Sequence, residues 1–228
     1  GAGLPPIVDS STRETTQKAS FEAVAARLRE GAVAPKHTVL TKDQAATALA
    51  RAFKTVTGRD ASDKTLTLLT AQWGLETGNG AAMMNYNFGG IKGRGPSGLY
   101  TSYKTKEGSG ASEITIVDKF RAYASAEEGA TDYVRVLRDR FPKAFEAAQT
   151  GEARAFVHAL KTEGYFTADE ETYTRAIAHL SGDFSYTPAD IEVDEERRPD
   201  TMLGVEAVAF ADQVTRASLM VSSDEVKS

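Results

Sequence analysis

The sequence predicts a mainly α domain with a small β-hairpin lobe inserted between its third and fourth helices. Apolar residues recur at helical spacing in several segments that begin with capping residues, as at Thr41 to Gln44 and Ser125 to Glu128. Between these segments, residues 78–110 are rich in glycine, asparagine and tyrosine, and two runs of alternating β-branched and aromatic residues lie at 100–105 and 113–117. That change of pattern indicates a β-insertion in a helical fold.

Three helices are predicted ahead of the hairpin. The first runs from a cap at Ser20 to Gly31, and the second from the capping box at Thr41 to about Val56. Ser62 can cap the third helix. The apolar face of that helix steps by three or four residues through Leu66, Leu69, Trp73 and Glu76.

The hairpin and four later helices complete the predicted domain. The strands are expected at Tyr100–Thr105 and Glu113–Val117, with the glycine-containing stretch 107–110 between them. The later helices are marked by Ser125, Phe145, Phe156 and Thr167. One face of the last helix carries Tyr173, Ile177 and Leu180.

The chain is predicted to have three parts. Residues 1–19 are polar and aperiodic, as in a flexible N-terminal tail, and residues 20–182 form the folded domain. Residues 183–228 begin with an acidic, proline-containing linker and continue into a helical extension at 203–219. The apolar residues of this extension can pack against the domain or bind a protein partner.

Composition and charge narrow the function classes. The net charge of −5 argues against a broad nucleic-acid surface, which requires a basic face. The chain has no cysteine, which excludes disulfides and thiolate chemistry. No apolar run approaches the ~20 residues of a membrane span, and no signal-peptide pattern opens the chain.

Glu76 is the candidate catalytic residue. It follows Trp73 on the apolar face of the third helix, where desolvation raises the pKa of a carboxyl group. Glycosidic cleavage near neutral pH needs such a protonated group, because the leaving oxygen takes up a proton. The glycines at 74, 78 and 80 are expected to leave room for a bulky substrate. The alternative is an ordinary solvated glutamate in the last helical turn.

Four segments resemble one known family. Gly74 to Gly80 resembles the Ala-Leu-Glu-(Ser/Thr)-Gly-x-Gly signature of the bacterial glucosaminidase family, which includes the flagellar rod-associated muralytic domain and many autolysins. Asn87 to Gly93 resembles its Asn-Leu-Phe-Gly-Ile-Lys segment, and Asp118 to Ser125 its Phe-Arg-x-Tyr-x-Ser segment. Gly164 to Tyr173 resembles its Gly-Tyr-Ala-Thr-Asp-x-x-Tyr segment. The segments follow the family's order, and the resemblance covers roughly residues 40–182.

The resemblance implies a lysozyme-like helical fold with a β-lobe over a groove, and the glycan strands of peptidoglycan as substrate. By position, Glu76 matches the catalytic acid, and Tyr165 matches a cleft tyrosine that holds or stabilises the reacting sugar. The loop beneath the cleft is matched by Asn87, Phe88, Gly89 and Gly90. The family often has phenylalanine where Gly89 stands, so the cleft floor is expected to differ.

A second carboxylate is harder to place. The family's second acid, when present, lies on the outgoing strand of the β-lobe, where this chain has lysine or threonine. Glu107, Glu113 and Asp118 are the available substitutes, and strand alternation favours Glu113. The alternatives are that all three are solvated charges, or that the substrate's own acetamido group assists.

Tyr103 and Tyr123 are the remaining candidates for substrate binding. They belong to an aromatic group around the hairpin that also includes Tyr86, Phe88 and Tyr100. Aromatic rings can stack on the apolar faces of sugars, and they can equally pack a core.

No metal or cofactor is expected. The three histidines stand apart and no cysteine is present to complete a ligand set. Gly93 to Gly98 matches the G-x-G-x-x-G pattern, but a strand-like segment follows it instead of the helix that a bound phosphate requires.

The leading functional prediction is a peptidoglycan hydrolase, an endo-β-N-acetylglucosaminidase, acting in the periplasm or outside the cell. An N-acetylmuramidase or a lytic transglycosylase shares the same fold and one essential glutamate, and fold alone does not settle chemistry. A non-catalytic wall-binding module is the alternative of another class.

Overall fold

The computed structural model describes residues 30–107, 114–182 and 184–191, together with Lys18 and Glu22. The side chains of 105–107 and 114–116 are outside this description. The chain divides into two compact units, Gly1–Ala32 and Val33–Ser228, and only a few residues of the first are described. The predicted tail apart from Lys18, the body of the first predicted helix and the extension at 203–219 therefore lie outside the described residues.

The described part of the second unit contains six helices and one hairpin. The helices are α1 (Lys42–Thr57), α2 (Asp63–Thr77), α3 (Ala126–Arg140), α4 (Pro142–Thr150), α5 (Ala153–Thr162) and α6 (Glu170–Ser181). Strands β1 (Tyr100–Glu107) and β2 (Ile114–Arg121) pair antiparallel between α2 and α3. The predicted fold class, mainly α with a small β-hairpin lobe, is confirmed.

The starts of α1, α2 and α3 follow the predicted capping residues, whereas α6 is capped by Asp169 and not by Thr167. At α1 the Gln44 amide donates to the Thr41 hydroxyl at 3.1 Å, and the Gln44 side chain accepts from the Thr41 amide at 2.9 Å. This is a complete capping box. At α3 the Ser125 hydroxyl accepts from the Glu128 amide, but the Glu128 carboxylate accepts from Ala124, one residue earlier than a capping box requires.

The hairpin is longer than the sequence pattern predicts. Tyr100 pairs with Arg121 and Glu107 with Ile114, so β2 continues four residues beyond Val117. These extra residues are mostly charged and carry little strand signal of their own. Their pairing with β1, and a further bridge between Phe120 and Lys92, keep them extended.

Helix α2 is the central helix of the domain. It packs against α1, α4 and α6. Ser62 caps its start, and nearly every side chain from Thr65 to Thr77 is buried. A helix surrounded on all sides must also bury polar groups, and α2 buries Gln72 and Glu76. Those polar groups need partners inside the protein, and this requirement shapes the candidate site.

Residues 184–191, predicted as the start of a linker, pack along α1. The amide of Ala189 donates to the Thr47 hydroxyl at 3.0 Å, and the Gln44 side chain donates to the carbonyl of Asp190 at 3.0 Å. The side chains of Phe184 and Tyr186 lie against the core. The domain boundary at residue 182 stays a prediction.

None of the described helices combines the length and the apolar character that crossing a membrane requires.

Candidate active site

Glu76 lies in the last turn of α2 and is only 7% exposed. The helix ends at Gly78, which takes a left-handed conformation, and Asn79 and Gly80 continue with positive φ. The amide of Asn79 donates back to the carbonyl of Gly74 at 2.7 Å. This tight reversal folds the chain beside the last helical turn.

The glycines around Glu76 serve packing. A Cβ on Gly80 would lie 2.7 Å from the carbonyl oxygen of Leu40 and 2.9 Å from the Trp73 ring. A Cβ on Gly74 would lie 2.7 Å from the side-chain oxygen of Asn79. The expectation that both glycines leave room for a substrate is therefore wrong, because protein atoms already fill the space beside them.

The two oxygens of the Glu76 carboxyl group differ. The Tyr173 hydroxyl donates to Oε1 at 2.9 Å. Oε2 is buried and has no hydrogen-bond partner among the described residues. Burial without a partner disfavours the charged form of a carboxyl group, so the structure leaves Oε2 as the oxygen suited to carry a proton.

A buried chain of polar side chains leads to Oε1. The Tyr133 hydroxyl donates to the side-chain oxygen of Gln72, and the Gln72 amide nitrogen lies 3.5 Å from the Tyr173 hydroxyl, to which it donates. Tyr173 in turn donates to Glu76. We call these four residues the relay. All of its donors point toward the carboxyl group.

The environment sets the protonation of Glu76. Burial raises the pKa of its carboxyl to about 7, and the Tyr173 hydrogen bond lowers that pKa in partial opposition. The pKa values of the Tyr133, Tyr165 and Tyr173 hydroxyls are raised well above the usual value. Burial is the largest cause, and the nearby Glu76 charge is the second. The three tyrosines are therefore neutral donors around a carboxyl group that titrates near neutrality.

Tyr165, predicted as the cleft tyrosine, lies within electrostatic reach of Glu76 and is buried. Its hydroxyl donates to the carbonyl of Gly89 at 3.2 Å, and its ring meets Phe141 edge-on at 5.0 Å. The direct hydrogen bond to Glu76 comes instead from Tyr173.

Sequence reasoning did not select Tyr173 or Gln72 as site residues. Tyr173 closes the last family-like motif, but helical spacing placed it only on a core face. Gln72 precedes Glu76 by four residues and so shares its side of α2. A glutamine on a strongly apolar helix, one turn from a candidate acid, is the signal that could have found the relay.

The predicted loop residues Asn87 to Gly90 contact Tyr165 through Gly89. The Asn87 side chain binds backbone groups of Ile91 and Arg121 at 2.8–3.0 Å, which ties this loop to β2. Phe88 is fully buried against Trp73, and Gly90 has a positive φ of 59°.

Gly89 allows a close approach of two tyrosines. A Cβ at this position would lie 2.8 Å from the Tyr133 ring and 2.9 Å from the Tyr165 hydroxyl. The departure from the family's phenylalanine thus coincides with a tyrosine pair packed directly on the backbone of Gly89.

The hairpin aromatics have well-defined partners. Tyr103 stacks on Phe120 with ring centroids 4.4 Å apart. The Tyr123 hydroxyl donates to Asp132 at 2.6 Å, and Arg121 pairs with the same carboxylate at 2.8 Å. Burial and the adjacent carboxylates, Asp118 for Tyr103 and Asp132 for Tyr123, raise the pKa of both hydroxyls.

The second acid is not located. Glu113 and the side chain of Glu107 lie outside the described residues. The Asp118 carboxylate is ion-paired with Lys92 at 2.5 Å and accepts from the Lys119 amide at 2.8 Å. The Asp118 carboxylate is thus engaged by Lys92 and by the backbone of β2. The assignment of Glu113 as the second acid stays a prediction.

A surface cavity of about 190 Å³ lies at the opposite end of α2. Its lining is formed by Phe53, Arg59, Asp60, Ser62, Thr65 and Gln149. Thr65 and Glu76 are separated by roughly 16 Å of helix. This cavity therefore contains none of the predicted site residues. Among the described side chains, no group of three or more potential metal ligands comes together.

A family comparison identifies the class of protein to which this fold belongs, a glycoside hydrolase. Residues 60–185 match the Glucosaminidase family, described as mannosyl-glycoprotein endo-beta-N-acetylglucosaminidase. The match spans α2 to α6 and more than half of the 228 residues. The chain belongs to the Glucosaminidase family, and the predicted family is confirmed.

The chain is also similar to solved structures. A peptidoglycan hydrolase mutant from Sphingomonas sp. A1 is 25% identical over 62% of this chain and 93% of that chain, with a TM-score of 0.47. A glycoside hydrolase domain of FlgJ from Salmonella typhimurium is 26% identical over 61% and 94%, with a TM-score of 0.42. The catalytic domain of the autolysin Auto from Listeria monocytogenes is 20% identical over 77% and 94%, with a TM-score of 0.47. No curated protein matches the chain.

Proposed function

We propose that this protein hydrolyses β-1,4 glycosidic bonds in the glycan strands of peptidoglycan, as an endo-β-N-acetylglucosaminidase with Glu76 as its general acid. The supporting observation is the buried carboxyl group of Glu76, whose pKa is raised to about 7 and whose Oε2 lacks a partner among the described residues. The family assignment supports the proposed type of bond. The resemblance of the four sequence motifs to those of wall hydrolases supplies the polymer.

In the proposed first step, the proton on Oε2 of Glu76 passes to the glycosidic oxygen while the bond from C1 to that oxygen breaks. The leaving sugar departs as a neutral alcohol, and positive charge develops on the ring that keeps C1. Glu76 becomes a carboxylate. The Tyr173 hydrogen bond to Oε1 favours this charged form, so it stabilises the acid after it has given up its proton.

In the second step, water adds to C1 and loses a proton to a base. Glu113 is our proposed base, and the substrate's acetamido group is the alternative nucleophile. A carboxylate about 5 Å from Glu76 would act as a nucleophile, and one at about 6.5–9.5 Å would activate water. Inversion at C1 would indicate a carboxylate that activates water, whereas retention would indicate a nucleophilic carboxylate or the acetamido group.

The tyrosines around Glu76 divide into two proposed roles. The Tyr173 hydroxyl donates to the Glu76 carboxyl, whereas the Tyr165 hydroxyl donates to the carbonyl of Gly89 in the loop 87–90. We keep Tyr165, Tyr103 and Tyr123, with the loop 87–90, as proposed contributors to the sugar site. Since peptidoglycan lies outside the cytoplasmic membrane, the proposed place of action is the periplasm or the cell exterior.

The first test is the clearing of purified sacculi by the wild-type protein and by the Glu76→Gln variant. This substitution keeps the size of the side chain and removes the transferable proton. We expect clearing to fall by at least about 100-fold, the contribution typical of general acid catalysis. Equal clearing by both proteins would rule out Glu76 as the acid, and sacculus binding without product release would favour a wall-binding module.

Product analysis tests the bond that is cut. Mass spectrometry of the soluble fragments identifies the sugar at the new reducing end. N-acetylglucosamine at that end supports the proposed activity, and N-acetylmuramic acid indicates a muramidase. An anhydro end indicates a lytic transglycosylase, in which no water adds to C1.

A further inference from the structure

The relay contains two residues that lie one and two hydrogen bonds away from Tyr173. Gln72 and Tyr133 are both fully buried, and neither touches the Glu76 carboxyl through a described hydrogen bond. Their hydrogen bonds run in series to Tyr173, which alone among the relay residues contacts Oε1. Their hydrogen-bonded connection to Glu76 runs through that tyrosine.

The direction of each hydrogen bond follows from the donors available. A tyrosine hydroxyl has one proton to donate, and the side chain of Gln72 has a donor end and an acceptor end. Tyr133 donates to the oxygen of Gln72, so the amide nitrogen of Gln72 faces the Tyr173 hydroxyl. Because Tyr173 accepts from Gln72, its own proton remains free to point at Glu76.

The reversed arrangement would have a different consequence. If the amide of Gln72 were turned over, its oxygen would take the Tyr173 proton, and Oε1 of Glu76 would lose its donor. A buried carboxylate with neither oxygen satisfied is strongly disfavoured. The orientation of Gln72 therefore decides whether the ionised form of Glu76 receives a hydrogen bond.

We propose that Gln72 and Tyr133 are positioning residues that hold the Tyr173 hydroxyl toward Oε1 of Glu76 and reserve Oε2 for the proton that is transferred. This inference rests on the proposed role of Glu76 as the acid. Hydrogen bonds in series polarise one another, so the two residues strengthen the Tyr173 bond that stabilises the Glu76 carboxylate after proton transfer.

The test removes each hydrogen bond and follows the titration of Glu76 in the complete protein without substrate. Gln72→Met removes the amide at similar side-chain size, and Tyr133→Phe removes one hydroxyl. We expect the pKa of Glu76 to rise by roughly 0.1–0.3 unit in each variant, since neighbouring bonds strengthen one another by ~10–30% and the Tyr173 bond itself lowers this pKa by about 1 unit. Glutamate labelled with ¹³C at the carboxyl carbon reports the titration by NMR, and Glu76→Gln identifies the signal.

Thr70→Val is the matched control. Thr70 is fully buried on α2, two residues from Gln72, and its hydroxyl has no hydrogen-bond partner among the described residues. This substitution perturbs the same helix without breaking a described bond, so Glu76 should titrate as in the wild type. A shift of equal size in Thr70→Val would reveal a general packing effect and would overturn the relay.

The milder variant, Tyr133→Phe, decides the outcome if Gln72→Met does not fold. An unchanged or lowered pKa of Glu76 in Tyr133→Phe would overturn the proposal. The sacculus assay of Glu76→Gln separates this result from the function. If Glu76→Gln stays active while Tyr133→Phe still shifts the Glu76 titration, the positioning of Oε1 stands and the catalytic role falls.

The pH dependence of the hydrolysis rate should show the same shift in the pKa of Glu76. An acid must be protonated to act, so the rate falls as pH rises through the pKa of Glu76. This alkaline limb should move up by the same roughly 0.1–0.3 pH unit in Tyr133→Phe. A purely structural defect would lower the rate at every pH and leave the limb in place.

Discussion

The acidic side chains at the end of α2 and on the β-hairpin have opposite surroundings. Glu76 is buried with a neutral hydroxyl as its described hydrogen-bond partner, whereas Asp118 on β2 is paired with the Lys92 ammonium and is about one-quarter exposed. The hairpin also places the cations of Arg94 and Lys119 over the ring of Tyr100, at 4.4 and 5.0 Å.

This difference shows how one domain places one carboxyl group beside a cation and buries another where it can hold a proton. An opposite charge close to a carboxyl group favours its ionised form, and desolvation favours its neutral form. The structure surrounds Glu76 with burial and tyrosine hydroxyls, and its pKa rises to about 7. A lysine in place of Tyr173 would have the opposite effect on that carboxyl.

The largest expected stability effect contrasts two glycines with positive φ. Gly80→Ala strains the backbone and drives a Cβ against Leu40 and Trp73. Gly98, near the start of β1, has a similar φ of 83°, but a Cβ added there would meet no other atom within 4 Å. We expect a loss of about 3–5 kcal/mol for Gly80→Ala and about 1 kcal/mol for Gly98→Ala.

Urea unfolding at neutral pH measures both glycine variants. Equal losses would mean that the turn after α2 is no more tightly packed than the start of the hairpin, which would contradict the contacts of Gly80.

The next effect is the pH dependence of folding that Glu76 causes. Its pKa is raised in the folded protein from 4.5 to about 7, so the folded state retains this proton over that pH range. The contribution of this proton to the free energy of unfolding is fully present below about pH 4.5 and is lost as pH rises through about 7. The total loss amounts to about 3 kcal/mol.

Unfolding of the wild type and of Glu76→Gln between pH 4 and pH 8 isolates this contribution. The variant lacks the titrating group, so its stability relative to the wild type should improve as pH rises. A difference between the two proteins that stays constant across the range would show that Glu76 titrates normally in the folded state.

Local sequence signals predicted the helices that position this site and its acid, whereas the partner of that acid depends on tertiary contacts. Thr41, Ser62 and Ser125 cap helices as predicted, because capping depends on neighbours three residues away. The burial of Glu76 agrees with its apolar helix face. Tyr173 lies 97 residues further along the chain, and no local pattern states which of several tyrosines reaches Oε1.

The glycines show a different limit of sequence reasoning. A glycine in a motif indicates that a side chain is excluded, but the sequence does not state which atoms exclude it. At Gly80 they are the backbone of Leu40 and the ring of Trp73, and at Gly89 they are two tyrosines. The stretch that holds Glu113 lies outside the described residues, so the choice of the second acid remains a prediction from strand alternation.

A smaller effect is expected from Tyr173→Phe. Its ring stacks on Phe166 at 4.0 Å, and the substitution keeps this contact while it removes the donor to Oε1. Losing a hydrogen bond that favours the carboxylate raises the pKa of Glu76, by about 1 unit. The alkaline limb of the pH–rate profile should move up accordingly, and a limb that moves down would contradict the assigned role of the hydroxyl.

The smallest effect is expected on the hairpin. Lys92→Met removes the ammonium from Asp118, an ion pair whose side chains are 19% and 25% exposed. Pairs near the surface contribute little, so the loss of stability should be below about 1 kcal/mol. Because such pairs are screened, the loss should shrink further in ~1 M salt. The stability difference between the wild type and Glu76→Gln depends on burial instead and should persist in that salt. If ~1 M salt removed the stability difference of Glu76→Gln as readily as that of Lys92→Met, the contrast between a buried helical site and a charged hairpin would not hold.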